Sequence, residues 1–234
     1  MEMTMHINET IIEVTRKCNM SCDHCLRGCA QSIDIDHKHI DALFDNCEYI
    51  GSLALTGGEP SLNIAALEYV LESAQRHDVG IGNFYIATNG SEISIEFVVF
   101  CLKLYAYCDE KNVCTVQVSN DNYHMAEGTY DTELLDGLGF FSRRETEEAR
   151  RINLIDQGRA AEFELGGREN IDYAFTVEDD DDTPRVDEGE VYLNAKGYIV
   201  SGCDWSYENQ EEHIVCHVDN LTFEALKNYE YIIH

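Results

Sequence analysis

Thr15-Arg16-Lys17-Cys18-Asn19-Met20-Ser21-Cys22-Asp23-His24-Cys25 carries three cysteines at C-x3-C-x2-C spacing, directly after the apolar run Ile11 to Val14. The run reads as a strand, and the polar stretch behind it as the loop at that strand's carboxyl end. Three thiolates on one short loop can converge on a single inorganic group, since soft sulfur ligands suit iron–sulfur chemistry. Three ligands leave a four-iron cluster one iron short, and an open iron can bind a chelating substrate or cofactor. Zinc is the competing reading. His24 or Cys29 would supply its fourth ligand, although x3-x2 spacing is not that of the usual zinc knuckle. Core packing is the third use open to such cysteines.

Downstream, short apolar runs alternate with helix-like segments. Helices are expected over Ile40 to Cys47, over Leu62 to His77 with Ser61 as cap, and over Ile95 to Tyr107, with a helical piece around Leu134 to Leu138. Strands are expected at Ser52 to Leu55, Phe84 to Ala87 and Cys114 to Val118. Connections too long for hairpins predict parallel βαβ units, hence an α/β fold whose sheet curves into a partial barrel. In such sheets chemistry gathers outside the carboxyl ends of the strands. Residues 1–182 form this barrel, by that expectation. Residues 183–234 form a small C-terminal β-hairpin appendage, signalled by Val191 to Leu193 and Tyr198 to Val200 around Asn194-Ala195-Lys196-Gly197.

The chain has 234 residues, 44% hydrophobic with only 2 prolines, which excludes disordered and fibrous classes. No apolar run reaches the ~20 residues that cross a bilayer. Forty-five acidic against 16 basic residues give a net charge of −29, so no nucleic acid and no membrane partner is expected. Glu178 to Asp182 and its acidic continuation to Glu190 read as a solvated loop. Ten cysteines without a visible secretory signal argue for a reducing, cytoplasmic setting rather than a disulfide scaffold. Cys47, Cys101, Cys108 and Cys114 sit in apolar runs and read as core residues.

The cysteine triplet resembles the signature of the radical S-adenosylmethionine (radical SAM) superfamily, which lies on the loop after the first strand of a partial (β/α)6 TIM-like barrel. The position before the third cysteine is commonly aromatic there; here it is His24. Thr56-Gly57-Gly58-Glu59-Pro60, one βα unit later, is similar to the family's GGE motif. The resemblance implies that Cys18, Cys22 and Cys25 ligate a [4Fe-4S] cluster. It implies too that the methionine end of S-adenosylmethionine chelates the fourth iron, next to Gly57, Gly58 and Glu59. The chemistry agrees: paired glycines admit close backbone approach, and a carboxylate complements an ammonium. Asn89 after the third strand, and Ser119 and Asp121 after the fourth, are short polar side chains suited to a ribose or carboxylate.

Arg143, Arg144 and Arg159 are candidates for the methionine carboxylate, Arg159 being favoured by Gln157-Gly158-Arg159-Ala160; ion pairing with Glu145, Glu147 or Glu162 is the alternative. His124 either faces the substrate or merely starts a helix. Gly197 to Cys203 resembles the start of a reduced SPASM or twitch extension, although only Cys203 and Cys216 stand there and a cluster needs three or four thiolates. An auxiliary cluster, a metal site completed by His213 or His217, and a structural role are the three readings. Seventeen residues precede Cys18, too few for a winged-helix leader-binding domain.

The resemblance implies reductive cleavage of S-adenosylmethionine to a 5′-deoxyadenosyl radical that abstracts hydrogen. It also implies an external one-electron donor of flavodoxin or ferredoxin type, and a peptide substrate. Modification of a small metabolite or nucleoside, and a non-catalytic metal-binding module on the same scaffold, are the alternatives.

Overall fold

The computed structural model describes residues 4–127, 132–144, 154–167, 174–178 and 183–229. The acidic residues 179–182, and Glu145 and Glu147, lie outside them. Five parallel strands run in the order β5-β4-β3-β2-β1: β1 (Met5–Thr15), β2 (Cys47–Gly57), β3 (Gly80–Thr88), β4 (Thr115–Val118) and β5 (Phe141–Arg143). On the other side of β1 lies β7 (Arg185–Leu193), also parallel to it, followed by antiparallel β8 (Tyr198–Ser201) and β9 (Ile214–His217). A short strand, β6 (Thr176–Glu178), pairs with β7. The segment after residue 182 therefore extends the sheet at β1, the strand that carries the cysteine loop.

Alternation along the strands separates two faces. Ile12, Val14, Leu53, Leu55, Phe84, Ile86, Val116 and Val118 form one apolar core with helices α1 (His37–Phe44), α2 (Ile64–Arg76) and α3 (Ile95–Tyr107). On the opposite face Ile11, Tyr192, Val200 and Trp205 make a smaller cluster. That face also carries polar groups, such as the Tyr85 hydroxyl donating to Gln117 at 2.9 Å. A polar inner face suits a sheet that lines a cavity, whereas a sheet packed on both sides reads as continuous apolar runs.

Helix α3 has the expected ends, with Ser94 accepting from the Phe97 N–H at 3.1 Å as its cap. The other helices differ from expectation for local reasons. Asp36 caps α1 through Lys38 N, so the helix starts three residues earlier, and Cys47 opens β2 instead of ending a helix. Ser61 lies in a 3-10 turn, Pro60–Leu62, with its hydroxyl held by Glu59, so Asn63 caps α2 in its place. Residues 133–137 form turns, not a helix, held by Leu135 N to Thr132 O and Leu138 N to Leu135 O. Cys47, Cys101, Cys108 and Cys114 are buried as expected. Two short helices complete the site region, α4 (Asn122–Glu127) and α5 (Gly158–Glu162). No helix among the described residues is long and apolar enough to cross a membrane.

Candidate metal centre and cavity

The cysteine loop leaves β1 and is gripped at once by the end of β2. Gly58 N–H donates to Thr15 O and Glu59 N–H to Lys17 O, both at 2.8 Å. A Cβ on Gly58 would stand 2.7 Å from the Lys17 carbonyl carbon and 3.0 Å from Arg16 O, so only glycine lets these backbones meet. The paired glycines thus seat the loop. From the other side, Gly158 (φ +55°) packs on Leu26 and Gly28, and Arg159 N–H donates to Cys25 O at 2.9 Å. The Arg159 guanidinium donates to Cys22 O at 3.0 Å, Ser21 O at 3.2 Å and Asp23 at 2.9 Å.

Glu59 is buried, and its carboxylate accepts from four donors. Oε1 takes Ser61 N–H (3.0 Å), Ser61 Oγ (2.6 Å) and Thr88 Oγ1 (2.7 Å), while Oε2 takes Asn89 N–H (2.6 Å). Burial pushes its pKa up against those bonds. The hub ties the end of β2 to the end of β3, and so places Asn89, whose amide donates to Asn19 Oδ1 at 3.0 Å and reaches Cys18 Sγ at 3.8 Å. Burial also pushes the Cys18 thiol up. Ligation would therefore release its proton.

Asp121 precedes α4 and accepts from the Tyr123 and His124 N–H groups, each at 3.0 Å, while its Oδ2 lies 2.8 Å from His124 Nδ1. Burial opposes ionisation of Asp121, but the bonds with His124 prevail and hold its carboxyl well below the usual range. His24 stacks on Tyr123 at 4.6 Å, and burial pulls its pKa down to about 4 against the attraction of Asp121. The ligand atoms of Cys22, His24 and His124 lie within 4.8 Å of one another. This second donor set shares Cys22 with the triplet, so the two cannot be filled together.

All three cysteines of the triplet line one cavity of about 360 Å³, with Gly57, Gly58, Glu59, Asn89, Ser119, His124, Arg144, Arg159 and Tyr207. The size lies in the ~300–1,000 Å³ range of small-molecule sites. Of the residues singled out for the cluster and its cofactor, Asp121 and Arg143 stand off this wall, Asp121 reaching it through His124. Arg143 turns away to Thr132 and Asp136, whereas Arg144 has a long bond to Gln117 at 3.4 Å and faces the cavity. Cys203 is close to Asp204 and Glu190, and burial pushes its thiol up.

A buried network behind the loop escaped the sequence reading. Glu13 and Arg16, 0% and 1% exposed, pair at 2.6 Å; the Tyr192 hydroxyl (2.5 Å), Ala195 N–H (3.0 Å) and Gln210 amide (3.3 Å) also donate to Glu13. Arg16 further donates to Gln31 and Gln210. A glutamate inside the apolar run Ile11 to Val14, with arginine three residues on, was the available signal. From the same side Arg27 donates to Trp205 O at 2.6 Å, and Tyr207 N–H donates to Arg27 O at 3.0 Å. Burial, then the Glu13 charge and in lesser measure Cys25, push the Tyr207 phenol up.

The donor set fits a three-thiolate cluster. Three thiols outside any disulfide share one wall, an amide is aimed at one sulfur, and two buried polar atoms of that wall, His24 Nδ1 and Tyr207 Oη, have no hydrogen-bond partner among the described residues. Orphaned buried groups of this kind mark a place where a ligand completes the bonding.

Two solved structures of anSMEcpe match the chain. The one with bound AdoMet and Kp18Cys peptide has a TM-score of 0.60 at 14% identity, covering 95% of this chain and 80% of that one. The one with bound AdoMet and Cp18Cys peptide has 0.59 at 13%, covering 96% and 80%. At such identities the likeness shows the fold alone, a partial barrel of parallel strands. No protein-family model and no curated protein matches the sequence.

Proposed function

We propose that the chain is a radical SAM enzyme in which Cys18, Cys22 and Cys25 hold a [4Fe-4S] cluster and the adjoining cavity takes S-adenosylmethionine. The observation that carries this reading is the shared wall: the three thiols and the Gly57-Gly58-Glu59 strand end border the same cavity. When bound, the cluster supplies the electron that cleaves S-adenosylmethionine reductively, giving the radical that abstracts hydrogen from substrate.

The chain's own residues bind, orient and exclude water. Asn89 steadies the Cys18 sulfur, and Glu59 holds Asn89 and the strand ends in place. Gly57 and Gly58 seat the cysteine loop, and Arg159 clasps its carbonyls. Ser119 offers a hydroxyl to the cofactor, and Asp121 fixes the His124 ring at the cavity wall. Arg144, facing the cavity, is the better placed cation for the methionine carboxylate, since Arg159 already serves the loop.

We favour a peptide as substrate, because anSMEcpe holds one beside AdoMet on the same fold, and a flavodoxin or ferredoxin type protein as electron donor. Anaerobic reconstitution with iron and sulfide, then reduction with S-adenosylmethionine, tests the chemistry. 5′-Deoxyadenosine should form with the wild type and not with Cys18→Ser. A second reading has its own observation: Cys22, His24 and His124 are spaced for one ion such as zinc. It predicts one zinc per chain, retained in Cys18→Ser, and no 5′-deoxyadenosine.

A further inference from the structure

Tyr207 belongs to the C-terminal extension, yet it forms part of the cavity wall beside Cys18 and Cys25. Two contacts fix it to the cysteine loop. Its N–H donates to the carbonyl of Arg27, two residues past Cys25, and the Arg16 guanidinium lies 4.4 Å from its ring centroid. The residue is 4% exposed, and its hydroxyl is buried with no partner among the described residues.

A phenol keeps its proton at neutral pH and seeks an acceptor. Arg16 and Arg27, the cations beside it, offer only donors. The Glu13 carboxylate is already taken by Arg16, Tyr192, Ala195 and Gln210. Among the acceptors on that wall, the cysteine sulfurs are the ones that ligation changes, weak as thiols and strong as thiolates, and Cys25 is the one two residues from the Arg27 carbonyl that holds Tyr207.

We infer that Tyr207 donates its hydroxyl proton to the Cys25 thiolate of the ligated cluster and so raises the cluster's reduction potential. The inference rests on the radical SAM reading. Hydrogen bonds to ligand sulfur stabilise the reduced, more negative state, which is how such bonds tune potential. Tyr207 is thus a positioning and tuning residue contributed by the extension, which couples the docking of β7 to β9 to the electron uptake of the loop.

Tyr207→Phe removes the oxygen alone. Wild type and variant are reconstituted anaerobically, assayed for iron and sulfide, and titrated by EPR at a series of potentials. With equal iron content, the reduced-to-oxidised ratio of the variant at a fixed potential should fall about tenfold, which for one electron is a midpoint ~59 mV lower. An unchanged midpoint in a fully loaded variant overturns the inference and leaves the radical SAM reading intact. A wild type that takes up only zinc overturns that reading, and the inference with it. Should the variant fail to load, the crystal structure of the reconstituted wild type decides. The phenol oxygen within hydrogen-bond reach of Cys25 Sγ supports the assignment; the same oxygen bonded to a methionine carboxylate or a water refutes it.

Discussion

Gly58→Ala isolates the contact between the end of β2 and the cysteine loop. The added Cβ would lie 2.7 Å from the Lys17 carbonyl carbon, where carbon–carbon contacts settle at ~3.5–4.0 Å. The Lys17 carbonyl oxygen is nearer still and all these neighbours are backbone, so no side chain can swing aside and the loop has to retreat by about 1 Å. Overpacking of this kind costs about 1–3 kcal/mol. In a chain of this length each kcal/mol lowers Tm by about 2–4 °C. The same displacement moves Cys18 next door, and a shift near 1 Å in a reacting geometry can cost ~10²-fold in rate. The assay is a thermal melt of the metal-free protein, then iron content and 5′-deoxyadenosine yield after reconstitution. Gly137→Ala is the control, since a Cβ there meets nothing within 4 Å; it should melt with the wild type. A Gly58→Ala protein with wild-type melting and full iron content would refute the seating role of the glycine.

Glu59→Gln keeps shape but turns an acceptor oxygen into an amide donor facing donors from Ser61, Thr88 or Asn89. A loss of about 1–3 kcal/mol in urea unfolding is expected. Asp41 joins α1 to α2 by accepting from Tyr69 at 2.7 Å and Ser73 at 2.5 Å. Burial raises its pKa, but those bonds and Arg76 outweigh it, so the folded pKa is depressed. Its stabilisation is present above the unfolded value of ~3.9 and lost as pH falls through the folded pKa. Asp41→Asn should therefore be less stable than wild type at pH 7 and converge with it as pH falls below the depressed folded pKa, as read by denaturant midpoints. Iron loading separates the two donor sets. Cys25→Ser should lose the four-iron spectrum while His124→Ala keeps it; one zinc per chain, lost in His124→Ala and kept in Cys25→Ser, would support the single-ion site.

Much of this was legible along the chain because it is local. The apolar runs and their spacing announce parallel βα units, and α3 begins and ends where its periodicity and the Ser94 cap put it. The cysteine loop at the carboxyl end of β1 and the Gly-Gly-Glu at the end of β2 are short-range patterns whose neighbourhood follows from parallel pairing. Element boundaries depart from the local pattern where a side chain has two possible partners. Ser61 looks like a helix cap until Glu59 holds its hydroxyl, and Asp36 is as good a cap as any residue nearer Ile40.

The residue types and spacings by themselves determined the fold class, the thiol triplet and the strand ends that carry polar side chains. Tertiary structure decided what those side chains do. It made Glu59 a hub between strand ends, turned Arg159 onto the loop while Arg144 faced the cavity, and brought β7 beside β1 so that Tyr207 reached the cysteines. These contacts join groups far apart in sequence. Their partners depend on sheet register and on which surfaces dock, and no local spacing encodes either.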